Sequence, residues 1–301
     1  MRKIHRDEKG SAIVLVALAM VALLCIAGLA IDGSMLYMTK SKLQKVANAA
    51  ALSGAQELTN SGEKVTKVVN DILAAHKESD SFENLAILEG KKVHVALSKR
   101  MPLSFAGLLG YEFVDVKAAA AASIAPMGRA MGAAPLGIDQ SIPLEYYKEY
   151  KLKTDSTGVS SGNFGVLALG GSGARTYEEN LKFGYQEEIK VGDILSTETG
   201  NIAGKTISVV NELVKGCTYL PENIGDRNCS RIILIPVYEE YNKTSNQLKN
   251  VKVIGFAYFY ITQPMSNNDT SITGMFIQRA GTGFYQEGSP DKGAYVIRLT
   301  E

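Results

Sequence analysis

The sequence predicts an α+β protein: a long amino-terminal transmembrane and amphipathic helix packed on a small α/β module, followed by a mostly β carboxy-terminal domain. Three observations predict it. Ser11–Ile31 contains no charged residue. The segment directly after it repeats apolar residues at helical spacing. Beyond Pro135 the apolar runs are short and rich in β-branched and aromatic residues. At 301 residues the chain suits about two domains. Lys plus Arg is 32 against 31 Asp plus Glu, which excludes the basic excess of a nucleic-acid binder. A chain that is 46% hydrophobic and 21% charged is too apolar to be disordered. Three cysteines and three histidines are too few for a zinc array or a dense disulfide scaffold.

Residues 1–10 form a short tail with Arg2, Lys3, Arg6 and Lys9 against Asp7 and Glu8. Residues 11–31 follow as the transmembrane helix, about 31 Å long at 1.5 Å per residue, which matches the hydrocarbon core. A cleaved secretory signal is the competing reading, with Gly28-Leu29-Ala30 as a small-residue site, but its apolar region is usually shorter. Leu24 before Cys25 argues against a lipoprotein signal. Lys40, Lys42 and Lys45 follow the span, so the positive-inside rule favours a cytoplasmic amino terminus only slightly. The short leading segment and the foldable bulk beyond the span point the same way.

Residues 32–126 read as an amphipathic helix and a compact module. Asp32 and Ser34 could cap a new helix, but no proline interrupts the run. Leu36, Leu43, Val46, Ala47, Ala50 and Leu58 recur near helical spacing. The alanines suit close packing, either on the domain's own sheet or on a partner helix. Glu63–Glu78 reads as a second helix. KKVHVALSKRMP is a strand, Pro102–Leu109 a short helix with proline in its first turn, and Phe113–Pro126 a second strand. Met127–Ala134, small and glycine-rich, is the expected linker. Residues 135–301 are the mostly β domain, with strands near Phe164–Leu169, Ile189–Val191, Arg231–Tyr238, Val251–Thr262, Ile272–Gln278 and Ala294–Leu299. Its helical patterns are limited to Tyr177–Phe183 and Thr206–Val214.

Lys9–Leu58 resembles the amino-terminal module of TadE/TadG-like proteins of the bacterial tight-adherence (Flp) pilus-assembly system. The positions that carry the resemblance are Gly10, Ala30, Asp32, Tyr37, Leu43-Gln44 and Ala47–Ala55. The stretches PLSFAGLLG, VKAAAAA, PLGID, VGDILSTETGN, RIILIPV and YVIRLTE are similar to longer, TadG-related members. In the processed pseudopilins of this system a glutamate stands five residues beyond the cleaved glycine. Here Leu15 stands there, and Ser11 replaces the hydrophobic first residue. Gly10 is therefore expected to remain uncut by prepilin peptidase. The resemblance implies an assembly component that stays in the membrane.

The remaining motifs carry little chemistry. Gly200–Thr206 ends in Gly-Lys-Thr, but Thr199 stands where a phosphate loop needs its first glycine, and the family commonly has proline at position 205. It reads as a turn, without nucleotide. Gly158–Gly173 lacks the dinucleotide fingerprint and reads as a strand framed by turns. Cys217 and Cys229 flank the turn formers Pro221, Asn223-Ile224-Gly225 and Asp226, and in an oxidising compartment they should pair. With no histidine nearby in sequence they make a poor metal set and a poor catalytic pair. Cys25 should be a small apolar thiol within the span. His94 reads as a structural strand residue. The pairs Glu178-Glu179, Glu187-Glu188 and Glu239-Glu240 read as solvated, with no glycosidase-type acid pair. Tyr146-Tyr147-Tyr150 and Phe256-Tyr258-Phe259-Tyr260 read as core and rim, or else as a docking face, with Phe259 on the opposite side of its strand from the other three.

Taken together, these readings predict a non-enzymatic protein without metal or cofactor, held by one signal-anchor helix in the cytoplasmic (inner) membrane of a bacterium. Its amino terminus lies inside and its bulk is extracytoplasmic. Its partners are the lipid bilayer and other Tad/Flp pilus-assembly membrane proteins. An envelope-associated binding or adhesion module that shares only the Tad-like anchor is the alternative.

Overall fold

No proline or helix-breaking cluster interrupts the chain from Lys9 to Ala55, and it forms one helix, α1 (Lys9–Ala55), 47 residues long and so about 70 Å from end to end. The computed structural model describes residues 9–153, 164–198, 202–218, 229–244, 247–266 and 269–300. The chain divides into two compact units, residues 1–123 with 299–301, and residues 124–298.

In the first unit α1 is followed by α2 (Gly62–Ala75) and an antiparallel meander of β1 (Phe82–Leu88), β2 (Lys92–Pro102) and β3 (Phe113–Ala130). Ser61 caps α2, its hydroxyl accepting from the Lys64 N–H, and Val65, Val69 and Leu73 form its buried stripe at four-residue spacing. The helix stops at Ala75, short of the expected Glu78. Lys77 turns left-handed (φ 57°), the Lys77 N–H bonds Ala74 and the Glu78 N–H bonds Leu73. This is a Schellman ending without the usual glycine. Leu43, Val46, Ala47, Ala50, Ala51 and Ala55 are buried on one side of α1. They meet α2 and β2, with Val93, Val95 and Leu97 supplying the sheet face. The intramolecular packing expected for this half of the helix is what the unit shows. The Gln44 side chain adds a bond to the Ala119 carbonyl of β3 (2.6 Å).

The Schellman ending turns Glu78 inward, where its side chain is 1% exposed. It accepts from Lys42, from Lys99 (2.8 Å) and from the Ser81 hydroxyl (2.6 Å). Burial alone would raise the carboxyl, but these donors outweigh it and hold the pKa at about 2, below the ordinary 4.5. The unfolded chain binds that proton more readily than the folded one. The stabilisation is therefore complete above about pH 4.5 and disappears as pH falls through about 2. Both lysines are partly exposed, so solvent screening limits the effect to about 2 kcal/mol. Urea unfolding of the detergent-solubilised protein should show the native chain more stable than Glu78→Gln at neutral pH, with the two converging near pH 2.

The second unit starts inside β3. Met127–Ala134, the expected linker, is strand through Ala130, and Ala130, Ala133 and Ala134 are buried. Its small residues serve close packing: a Cβ at Gly128 would lie 2.2 Å from Gln286 Cβ. Two short strands, β7 (Ile189–Lys190) and β13 (Phe284–Tyr285), pair with this end of β3. A larger sheet runs β5 (Glu149–Lys153), β11 (Ser271–Ile277), β10 (Gln247–Ile261), β9 (Ile232–Thr244), β4 (Leu136–Asp139) and β6 (Phe164–Val166), with β8 (Ile194–Ser196) on β10. β12 (Arg279–Ala280) and β14 (Ala294–Leu299) pair in parallel. Two helices complete the unit, α3 (Ala174–Phe183) and α4 (Ala203–Gly216).

The β10 sheet is buried on both faces. Phe256, Tyr258 and Tyr260 enter one core cluster and Phe259 the other, as strand alternation requires. These aromatics are core residues, so the docking-face reading of that patch does not hold. Of the other patch, only Tyr147 is largely exposed.

Candidate membrane-anchoring site

The surface of α1 changes character along its length. From Ile13 to Ile26 every large apolar side chain is 59–70% exposed, on all sides of the helix. This part is long and apolar enough to cross a membrane. A water-soluble helix would bury such residues. From Leu43 onward the same helix buries one face, as described above.

Where the two regimes meet, the β2–β3 connection folds down along α1. Its 3₁₀ turn, Ala106–Leu109, lies close to the helix. Asp32, buried on α1, accepts from the backbone N–H groups of Ser104 (3.0 Å), Phe105 (2.9 Å) and Ala106 (2.7 Å). A single carboxylate thus satisfies three amides that the short turn leaves unpaired. Asp32 does act as a cap, but for this turn rather than for a new helix, since α1 runs on unbroken. Pro102 ends β2 instead of opening a helix. Phe105 packs on α1 at Gly28, where an added Cβ would stand 2.3 Å from the ring. Leu24, Cys25 and Leu29 of α1, with Phe105, Leu108 and Leu109, line an apolar groove of about 180 Å³.

Replacing Asp32 with alanine removes all three acceptor contacts without disturbing the buried stripe of α1. The expected result is much faster amide exchange at Ser104, Phe105 and Ala106, with exchange in α2 unchanged. Hydrogen-exchange mass spectrometry of the detergent-solubilised protein would measure both.

The other singled-out residues fall into place individually. Cys217 and Cys229 are joined in a disulfide with Cα atoms 5.2 Å apart. The turn formers Pro221–Asp226 between them lie outside the described residues, as do Gly158–Asn163 and Gly200-Asn201. Of the Gly-Lys-Thr run, Lys205 pairs with Glu178 (2.7 Å). Thr206 is buried, its hydroxyl shared with Tyr177 and bonded to the Ile202 carbonyl. Both side chains are used by the fold. The adjacent carboxylates meet local partners: Glu179 pairs with Arg175, Glu188 with Arg129 and Glu239 with Lys252, and Glu187 accepts from Tyr185. Cys25 is an exposed free thiol on the apolar part of α1. Among the described residues no group of three or more His, Cys, Asp or Glu is placed to hold a metal ion. Gly10 lies in the first turn of α1.

Two features escaped the sequence reading. The brace at Asp32 is a contact across some seventy residues of sequence, and only the uncharged run Met101–Tyr111 hinted at it. The inward turn of Glu78 depends on a left-handed Lys77, which lysine seldom adopts.

The Flp pilus-assembly TadE/G-like family, Tad, matches residues 10–57 of the chain, that is, α1 and the turn that follows it. No curated protein and no solved structure matches.

Proposed function

We propose that this chain is a membrane-anchored, non-catalytic component of Flp/Tad-type pilus assembly or secretion. α1 crosses the cytoplasmic membrane through residues 11–31 with the amino terminus inside, and the two folded units stand on the outer face. The observation that carries this reading is that the match to the pilus-assembly family coincides with a helix whose first half exposes apolar side chains all round. The family match supports a pilus-assembly role, and that surface supports a membrane environment. The disulfide supports the outward orientation, because such bonds persist in oxidising compartments. The function is then mechanical: α1 fixes the chain at the membrane beside the assembly machinery.

The test is cross-linking in cells followed by purification in mild detergent. A component of the apparatus should bring down the membrane platform proteins and secretion ATPase of a Tad system. Their absence from the cross-linked material, with the chain itself recovered in the membrane, would contradict the assignment.

A second reading is an envelope-binding or adhesion module that shares only the anchor. It draws on the family match stopping at residue 57. It predicts that the full chain in detergent sediments with purified cell-wall polymer and that no Tad proteins are cross-linked.

A further inference from the structure

The β2–β3 connection carries an apolar tip that the proposed anchoring role does not use. Met101–Tyr111, MPLSFAGLLGY, contains no charged residue. Leu108 and Leu109 are 84% and 66% exposed, although both are large and apolar. They lie against Leu24, Cys25 and Leu29 of α1, with no other described element covering them. We infer that this tip, led by Leu108 and Leu109, inserts into the outer leaflet of the bilayer beside α1, as a second and shallower membrane contact. The inference rests on the reading of α1 as a membrane span.

Helix length places the tip within the leaflet. The tip descends along α1 from Asp32 to Leu24, about 12 Å at 1.5 Å per residue. If the tip stood in water, only the helix below Leu24 could lie in hydrocarbon. Residues 11–23 make about 20 Å, well short of the ~30 Å core. Residues 11–31 reach that thickness, and then the level of Leu108 and Leu109 falls inside the leaflet. A depth of about 10 Å is that of other interfacial segments.

The backbone of the tip is also largely bonded within the protein. Backbone outside a regular helix enters lipid only when its amides are satisfied within the protein. Asp32 takes the N–H groups of Ser104, Phe105 and Ala106. The Leu103 N–H bonds Glu112, Leu108 bonds Phe105, Gly110 bonds Gly107 and Tyr111 bonds Ala106. Seven amides of Leu103–Tyr111 are thus bonded within the protein, and the carboxylate that takes three of them sits at the expected hydrocarbon boundary.

A ring of aromatic and basic residues stands above the tip. Tyr37 on α1 and Tyr111 and Phe113 on the hairpin are exposed aromatics, the residue types that favour the headgroup region. Arg100 lies over the Phe113 ring, 4.8 Å from its centre, with its charge available to lipid phosphates. From tip to base come the leucines, then the aromatics with Glu112 between Tyr111 and Phe113, then Arg100. A lipid surface accounts for that order. A second protein helix would account for the leucines but not for the aromatic and basic layers above them.

The test uses the full chain with Cys25→Ala, the disulfide intact, in nanodiscs whose lipids carry bromine either near the headgroup or deep in the acyl chains. A small environment-sensitive fluorophore is placed in turn at Leu108→Cys, Val21→Cys and Lys91→Cys. The expected result is strong quenching at position 108 by the shallow bromines, strongest quenching at 21 by the deep ones, and none at 91. Quenching at 21 without quenching at 108 overturns the inserted tip and leaves the span standing. A blue-shifted but unquenched label at 108 also overturns it, since a protein surface would then cover the leucines. Absence of quenching at 21 removes the span itself, and the inference with it.

Discussion

Shaving Phe259 to alanine will cost the carboxy-terminal unit about 4 kcal/mol. Phe259 is fully buried near the carboxy-terminal end of β10, opposite Phe276 of β11 and Ile233 of β9. Its ring meets that of Phe276 edge to face, with centroids 5.1 Å apart, and Phe276 in turn meets Tyr150 at 5.1 Å. Removal therefore loses the transfer free energy of one large ring, leaves a cavity on that face of the sheet, and breaks one of the two contacts of an aromatic row. The surrounding sheet cannot collapse into the space, because β10 is hydrogen-bonded on both sides. Tyr241→Ala, at a half-exposed position on β9, should cost less than about 0.5 kcal/mol. Urea unfolding of both variants in detergent would measure the difference. Equal midpoints would show that the two-sided burial of this sheet is wrong.

Loss of the Cys217–Cys229 bond is the second large effect, at about 3 kcal/mol. The bond closes a loop of 12-residue separation, and chain entropy in the unfolded state gives that magnitude. The native junction should survive the change. Arg231 bonds the carbonyls of Cys217 and Thr262, and the Ser230 hydroxyl bonds that of Leu213, so β9 stays tied to the end of α4 without the sulfurs. A double Cys217→Ser, Cys229→Ser variant should therefore fold and melt earlier, with a melting point indifferent to reductant. The native chain should fall to the same value when reduced. A native chain unaffected by reductant would show that the bond contributes nothing, and would remove one support for the extracytoplasmic placement.

The parts of the fold that were legible in the sequence are those in which one physical pattern dominates. The uncharged stretch, the Leu43–Ala55 stripe and the alternation of β10 each state a burial rule without ambiguity, and α1 and β10 follow from them. β1 was missed because it is an exposed edge strand, with no buried face to impose a period of two. β4 was missed because all four of its residues are buried, which leaves no alternation to read, and β5 because Glu149, Lys151 and Lys153 make it mostly charged. The Met127–Ala134 stretch misled because small residues serve both flexible linkers and tight packing, and only the approach of Gln286 to Gly128 distinguishes the two. At the anchoring site the apolar span was visible, while its brace was not. Asp32 is a single carboxylate whose partners are backbone amides, and amides leave no signature in side-chain identity. The cysteine pairing could be read because two thiols lie close in sequence. The buried Glu78 could not, because nothing in a Lys-Glu-Ser run indicates which way the chain turns.

The central claim is that α1 crosses the membrane at residues 11–31 and leaves everything after it outside. A membrane-impermeant thiol reagent applied to intact spheroplasts tests it most directly, with Cys25→Ala as background and single cysteines at Lys3 and Lys91. The account predicts that the cysteine at 91 reacts at once, that the cysteine at 3 reacts only after the membrane is broken, and that both belong to a chain of undiminished length. Protection at 91 in intact cells, or a mature product beginning near Ile31, would contradict it.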